Sequence, residues 1–176
     1  MTDKKFPVRR MASTALLTAV MCILSPFSIP IGPVPITLSV FCVFLAGMLL
    51  RPVWAAASVV VYLLVGFVGL PVFSGFSGGV SALVSPSGGY LFGYLAIAVA
   101  TAWGVRCGKW YLTALCMLGG LLGCYLVGTV WFMAVTGMDL GKSLALCVLP
   151  FVPFDAAKGV CAYLLASVLK KRVTLD

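Results

Sequence analysis

The chain has 176 residues, of which 62% are hydrophobic and 9% are charged, and its formal net charge is +8. A soluble domain would carry about 25% charged residues, so this composition excludes a soluble protein and indicates one integral membrane domain, residues 1–176. Glu, Gln, Asn and His are absent and the seven cysteines form no CxxC pair. We therefore expect no metal site and no disulfide, because Cys within apolar segments behaves as a small hydrophobe.

The N-terminal part combines a basic arm, residues 1–10, with an apolar segment at 11–31. A signal peptide has the same two parts, but no small-x-small cleavage site lies at the right place, so we favour a membrane span. Ala12, Ala15 and Ala19 give this span a face of small residues, and such residues let helices approach closely in lipid. That face is a candidate docking surface.

Five further apolar segments follow the first, which makes six predicted transmembrane helices. They cover about 36–50, 53–70, 89–105, 110–135 and 153–169. The second segment is short for a span of about 20 residues. We place the start of the last helix at Pro153, because proline is well tolerated at the first helical position. Gly119-x-x-x-Gly123 in the fifth segment predicts a helix-packing face.

The basic residues lie at the ends of the apolar segments. With six spans, ten of the twelve Lys and Arg residues fall on one side, Lys142 falls on the other, and Lys158 lies within a span. This asymmetry predicts that both termini are cytoplasmic. It also argues against nucleic-acid binding, since the chain has no basic stripe within a folded unit.

A loop rich in glycine, residues 69–89, joins the third and fourth predicted spans and faces outward in this topology. It contains five Ser, two Pro and no charge, a composition expected to prevent a regular helix. A plain connector would have no need of Phe73, Phe76 and the adjoining Tyr90, whereas aromatic residues on a glycine-built backbone suit a concave, uncharged ligand site. We interpret the segment as a binding loop, with a surface connector as the alternative.

Asp155 and Lys158 are ionisable residues in the last predicted span. They are three residues apart and so share one helical face. Asp155 is about 22 Å along the helix from Lys170, which puts the pair in the outer half of the membrane. Ionisable groups at this depth are costly and usually functional. Lys158 could pair with a ligand carboxylate and Asp155 could accept hydrogen bonds from ligand N–H groups; the alternative is a structural ion pair.

The segment from Gly137 to Ser143, GMDLGKS, has some likeness to a phosphate-binding loop. It has three residues between the glycines where a Walker A motif has four, and it falls on the predicted outer side. We interpret it as a polar loop and expect no ATPase within the chain.

Three features together resemble the BioY family, the biotin-binding S components of energy-coupling factor (ECF) transporters. They are GLPVFSGFSGG at 69–79, SPSGGY at 85–90, and the Asp155-x-x-Lys158 pair. The resemblance covers essentially the whole chain. Ser85 and Ser87 replace the glycine and threonine more usual in the family; serine keeps the hydroxyl at 87, whereas serine in place of glycine at 85 leaves the local backbone geometry open.

The resemblance implies a multi-pass cell-membrane protein that captures biotin from outside and needs no cofactor. It implies as partners a transmembrane T component and two cytoplasmic ATPases, with the small-residue face of the first helix docking to the T component. Some members of the family are thought to work alone or as oligomers. The rival classes are an ion-coupled carrier of a small carboxylate-bearing solute, which would be expected to show repeats or more buried acids, and a small intramembrane enzyme, which would lack His and Glu.

Overall fold

The computed structural model describes residues 5–30 and 34–172. Within these residues the chain is an all-α membrane protein with one two-residue β-ladder. The helices are α1 (Lys5–Leu24), α2 (Ser39–Leu49), α3 (Pro52–Phe67), α4 (Val80–Val84), α5 (Gly88–Arg106), α6 (Trp110–Thr136), α7 (Leu140–Cys147) and α8 (Phe151–Arg172). A 3₁₀ turn covers Ser74–Phe76, and strands β1 (Ser28–Ile29) and β2 (Ile36–Thr37) pair in antiparallel fashion.

The helices differ in how they could cross a membrane. In the part of the chain that the structure describes, α5, α6 and residues Phe151–Lys170 of α8 are long and apolar enough to span it, while α2 and α3 are apolar but shorter. The 11 residues of α2 rise only about 16 Å, against a hydrocarbon core of about 30 Å. Ten of them are buried, because α2 packs against α1, α3, α5 and α8. The predicted span 36–50 therefore contains strand β2 followed by a short central helix.

The first helix ends earlier than the predicted boundary at residue 31. It stops at Leu24, since Pro26 has no N–H for a helical hydrogen bond and disfavours helical geometry in the preceding residue. The chain then enters β1, whose Ser28 and Ile29 pair with Thr37 and Ile36 of β2. Pro30, Pro33 and Pro35 predict a tight, uncharged turn in this region, and Pro33 lies outside the described residues.

The prediction that residues 69–89 hold no regular helix is wrong. They contain the 3₁₀ turn and α4, and α5 already begins at Gly88. The positive φ angles of the loop fall on residues that precede α4, including Gly75 (67°) and Gly79 (83°), where glycine carries little steric cost. Residues 80–84 have neither Gly nor Pro and so can form one turn of helix.

Ser85, which replaces the family's usual glycine, has φ −62° and ψ 164°. This is extended backbone that any residue adopts. Its hydroxyl donates to the carbonyl of Ala82 (2.6 Å), and its own carbonyl accepts a hydrogen bond from Nε1 of Trp131 (3.1 Å). Serine therefore fits this position without backbone strain.

The predicted packing face on α6 is displaced by one residue. A Cβ at Gly119 would meet nothing within 4 Å, and one at Gly123 would only touch Ala96 at 3.5 Å. At Gly120 a Cβ would lie 2.9 Å from the Cα of Ile97 on α5, so Gly120 is the residue that allows close approach. The Gly-x-x-x-Gly spacing indicates that α6 has a face of small residues, but it does not show which side of α6 packs against α5.

The end of the chain also differs from the sequence prediction. Helix α8 begins at Phe151, two residues before Pro153. Proline still fits there, because the first-turn N–H groups have no intrahelical partner.

The segment GMDLGKS, which has some likeness to a phosphate-binding loop, forms the junction between α6 and α7. Gly137 ends α6 with φ 69°, and the side chain of Asp139 caps α7 by accepting from the N–H of Gly141.

Candidate ligand-binding site

Two adjoining cavities lie between α5, α6, α8 and the glycine-rich loop. They share a wall made by the β2 region and α5: Val34, Pro35, Thr37, Tyr90 and Tyr94. The first, here called the ionic cavity, has a volume of about 40 Å³ and reaches Asp155 and Lys158. The second, the loop cavity, also has a volume of about 40 Å³ and reaches Phe73 and Ser87. The shared wall joins the two regions that the sequence singled out.

The ion pair closes one end of the ionic cavity. Nζ of Lys158 lies 2.8 Å from Oδ1 of Asp155, and the hydroxyl of Tyr125 donates a 2.8 Å hydrogen bond to Oδ2. The Asp155 side chain is 3% exposed and that of Lys158 is 13% exposed. A buried carboxylate needs such partners, because desolvation of an unpaired charge costs several kcal/mol. Each group retains binding capacity: Lys158 has two further N–H donors, and each carboxylate oxygen can accept a second hydrogen bond.

Tyr90 stands in the wall common to both cavities. Its hydroxyl donates to the carbonyl of Cys147 (3.3 Å) and so ties α5 to the end of α7. Its ring lies against α6, where a Cβ on Gly128 would be 2.3 Å from the ring. The absence of a side chain at Gly128 therefore makes room for Tyr90.

Phe73 anchors the loop above the loop cavity. It is 2% exposed, and its ring meets that of Tyr62 edge to face with centroids 5.4 Å apart. A Cβ on Gly66 of α3 would overlap the Phe73 ring, so glycine is required beneath it. The loop backbone is pinned to α3 by the Gly79 N–H to Gly66 carbonyl bond (2.7 Å) and by the Tyr62 hydroxyl, which donates to Val72 (3.2 Å).

Phe76 does not line either cavity. It is 61% exposed, has φ 57°, and packs edge to face against Phe27, which directly precedes β1. Its backbone turns it away from Phe73, because the intervening Gly75 also has positive φ. A role for Phe76 in ligand contact stays a prediction, with the outer surface of the loop as its position.

Several lining residues were missed by the sequence analysis. They include Thr37, Tyr94, Cys124, Tyr125, Cys147 and Phe151. Tyr94 could have been found, because it lies one helical turn after Tyr90 on the same face. Tyr125 gave no such signal, since only the packing of α6 beside α8 shows that its hydroxyl meets Asp155.

The small-residue face of α1 is open. Ala12, Ala15 and Ala19 are exposed, whereas Thr14 and Thr18 on the opposite side are buried. The Thr18 hydroxyl lies 2.9 Å from that of Ser58 on α3, which fixes the rotation of α1.

Among the described residues no group of His, Cys, Asp or Glu could hold a metal ion.

The comparison with known proteins covers almost all of the chain. The BioY family model matches residues 1–175. The probable biotin transporter BioY of Pyrococcus horikoshii is 39% identical over 92% of this chain and 96% of its own length. The biotin transporter BioY of Thermotoga maritima is 38% identical over 93% and 97%. These relatives are transporters and not enzymes.

A solved structure agrees with this assignment. The S component for biotin from an ECF-type ABC transporter, determined at 2.1 Å, superposes with a TM-score of 0.89 at 29% identity. The match covers 97% of this chain and 95% of the other. Fold and sequence therefore lead to the same conclusion: the chain belongs to the BioY family.

Proposed function

We propose that this protein is the substrate-capture S component of an ECF transporter and takes up biotin from outside the cell. The observation that carries the proposal is the buried Asp155–Lys158 pair, 2.8 Å apart, at one end of two cavities that share a wall. Together the cavities offer one ionic end, a wall with Tyr90 and Tyr94, and a loop end with Phe73. Biotin has matching parts: a carboxylate, an apolar chain and a ring system with N–H groups.

We assign distinct roles to the two ionised groups. Lys158 pairs with the ligand carboxylate, using N–H donors that Asp155 leaves free. Asp155 is held in place by Tyr125 and keeps the Lys158 ammonium at the ionic end of the cavity, while the N–H groups of biotin lie at the other end of the ligand. Phe73 and Tyr90 form the apolar surface against which the ligand packs. No cofactor takes part.

We infer that partners energise uptake, because the sequence contains no ATPase motif. We propose that a transmembrane T component docks on the exposed face formed by Ala12, Ala15 and Ala19. Two cytoplasmic ATPases would then drive the assembly. An ion-coupled carrier is the weaker candidate, since Asp155 is the acidic residue within a predicted span and is already paired with Lys158.

The decisive experiment compares biotin with its neutral amide on wild-type protein and Lys158→Met, by calorimetry in detergent without nucleotide. Loss of one partner of a buried charge pair costs about 2–5 kcal/mol, or roughly 30- to several-thousand-fold in affinity. Wild type should prefer the acid, whereas Lys158→Met should bind acid and amide equally. A variant that keeps the wild-type preference would show that Lys158 serves only as a structural partner of Asp155.

A further inference from the structure

Residues 80–87, here called the lid, cover one side of the loop cavity. They consist of α4 and the turn that follows it, and Ala82 and Ser87 line the cavity. No residue of α4 is buried, and α4 packs mainly against α5, the next helix in the chain. Segments with few buried contacts open locally at a low cost in free energy. The lid is therefore a part of the cavity wall that can move while the helix bundle stays folded.

The two cavities are small for the ligand that we propose. Each has a volume of about 40 Å³, whereas one bound water needs about 10–15 Å³ on the same scale. Biotin has a ring system and a chain that carries the carboxylate, so the two cavities must join and widen to hold it. We therefore expect the lid to open when the ligand enters or leaves.

One hydrogen bond joins the lid to a helix that is distant in sequence. Nε1 of Trp131 on α6 donates to the carbonyl oxygen of Ser85 (3.1 Å). Among the residues that the structure describes, every other hydrogen bond of the lid stays within residues 79–90. The Trp131 bond is thus the polar contact that holds the lid on the bundle.

The indole of Trp131 is held in place by α5. A Cβ on Gly89 would overlap the Cβ of Trp131, so the absence of a side chain at Gly89 lets α6 come this close. The ring of Phe92, one turn further along α5, lies beside the indole with its centroid 6.0 Å away. These contacts fix the ring and direct its N–H toward the lid.

Trp131 differs from two other tryptophans of the bundle. Trp103 and Trp110 are 62% and 72% exposed, as expected for residues that anchor a helix at the membrane–water interface. Trp131 is partly buried, and its N–H is bonded to a protein carbonyl. Neither Trp131 nor Ser85 lines the ionic cavity or the loop cavity. The bond can therefore hold the lid without contacting the ligand.

We propose that Trp131 is a positioning residue that latches the lid over the loop cavity and so controls how fast biotin enters and leaves. This inference rests on the proposed function of the site. Because the latch does not touch the ligand, it stabilises the closed lid equally whether the cavity is filled or empty. Its loss should raise the association and dissociation rate constants by the same factor and leave their ratio, the Kd, unchanged. A residue that merely shapes the site would alter the Kd instead.

The first experiment measures the lid without a ligand, by hydrogen exchange of the full-length protein in detergent. Trp131→Phe keeps an apolar ring and removes the N–H. Exchange of the amides in residues 80–88 should become about two- to tenfold faster, the factor expected for one net hydrogen bond. Exchange in the middle of α5 and α6 should stay unchanged, which shows that the fold is retained. Trp103→Phe makes the same change at an exposed position and should exchange as wild type.

The second experiment measures the association and dissociation of radiolabelled biotin. In Trp131→Phe both rate constants should rise about two- to tenfold at a constant Kd, and in Trp103→Phe neither should change. Wild-type exchange of the lid in Trp131→Phe would overturn the latch, and so would a faster dissociation with unchanged association, which would mean that the indole stabilises only the bound state. If wild type binds no biotin, the proposed function fails, while hydrogen exchange still decides whether Trp131 holds the lid.

Discussion

The hydroxyl of Tyr125 on α6 lies 2.8 Å from Oδ2 of Asp155 on α8, on the opposite side of the carboxylate from Lys158. Both carboxylate oxygens are thus engaged, one by a partner on its own helix and one by a partner on another. This arrangement fixes the carboxylate plane at the end of the ionic cavity. It also ties α8 to α6.

Removing that hydroxyl should weaken the binding of biotin. A hydrogen bond to a charged group contributes about 1.5–3 kcal/mol, so Tyr125→Phe should raise the Kd roughly 10- to 150-fold, because Asp155 loses its fixed orientation. Calorimetry in detergent measures the Kd. The matched control is Tyr111→Phe on the same helix, which is 49% exposed and should bind as wild type. Wild-type affinity in Tyr125→Phe would mean that Lys158 alone orients the carboxylate.

Alanine substitutions at two glycines of α6 distinguish the effect of packing at the ligand site from the effect of helix propensity. Gly128→Ala puts a Cβ 2.3 Å from the Tyr90 ring, whereas Gly119→Ala meets nothing within 4 Å. Alanine is better than glycine in a helix by about 1 kcal/mol, so Gly119→Ala should keep or raise the Tm. Gly128→Ala should instead displace Tyr90 from the wall of both cavities and lower biotin affinity. If the two variants bind biotin equally well, Tyr90 does not form part of the ligand surface.

The sequence predicted the fold class and the family well, because both depend on patterns that are local in the chain. Apolar segments located the long helices α5, α6 and α8, although Pro153 did not mark the start of α8. The glycine-rich loop was located, but its internal helix α4 was not, since a count of Gly and Pro over residues 69–89 ignores where they fall. The strand and short helix within the predicted span at 36–50 depend on burial by four neighbouring helices, which hydropathy does not report.

The sequence located part of the candidate site, because some of its residues stand out within their own segment. Asp155 and Lys158 are unusual in their own segment, and Phe73 and Tyr90 stand out among glycines. Tyr125 is one aromatic residue in an apolar helix, and its hydrogen bond to Asp155 becomes apparent only from the packing of α6 beside α8. Phe76 looked equivalent to Phe73 in sequence, but the positive φ angles at Gly75 and Phe76 send the two rings in different directions.

The two loop phenylalanines should therefore respond differently to truncation. Phe73→Ala removes a ring that is 2% exposed and packed on Tyr62, and such changes cost about 3–5 kcal/mol. It should lower both the Tm and biotin affinity. Phe76→Ala, at 61% exposure, should leave the Tm nearly unchanged. A large loss of biotin affinity in Phe76→Ala at constant Tm would show that Phe76 contacts the ligand, as the sequence predicted.

The exposed alanines of α1 allow docking to be tested apart from ligand binding. Ala15→Trp and Ala19→Trp place a large ring on a face that is open in this structure, so the fold and the Kd for biotin should change little. Close helix approach in lipid requires small residues, and each variant should therefore fail to co-purify with a T component. Ala157→Trp supplies the control, because it adds the same ring to an exposed position of α8 and should still co-purify. If both α1 variants retain the T component, the docking surface lies on another helix and the small-residue face has only lipid as its neighbour.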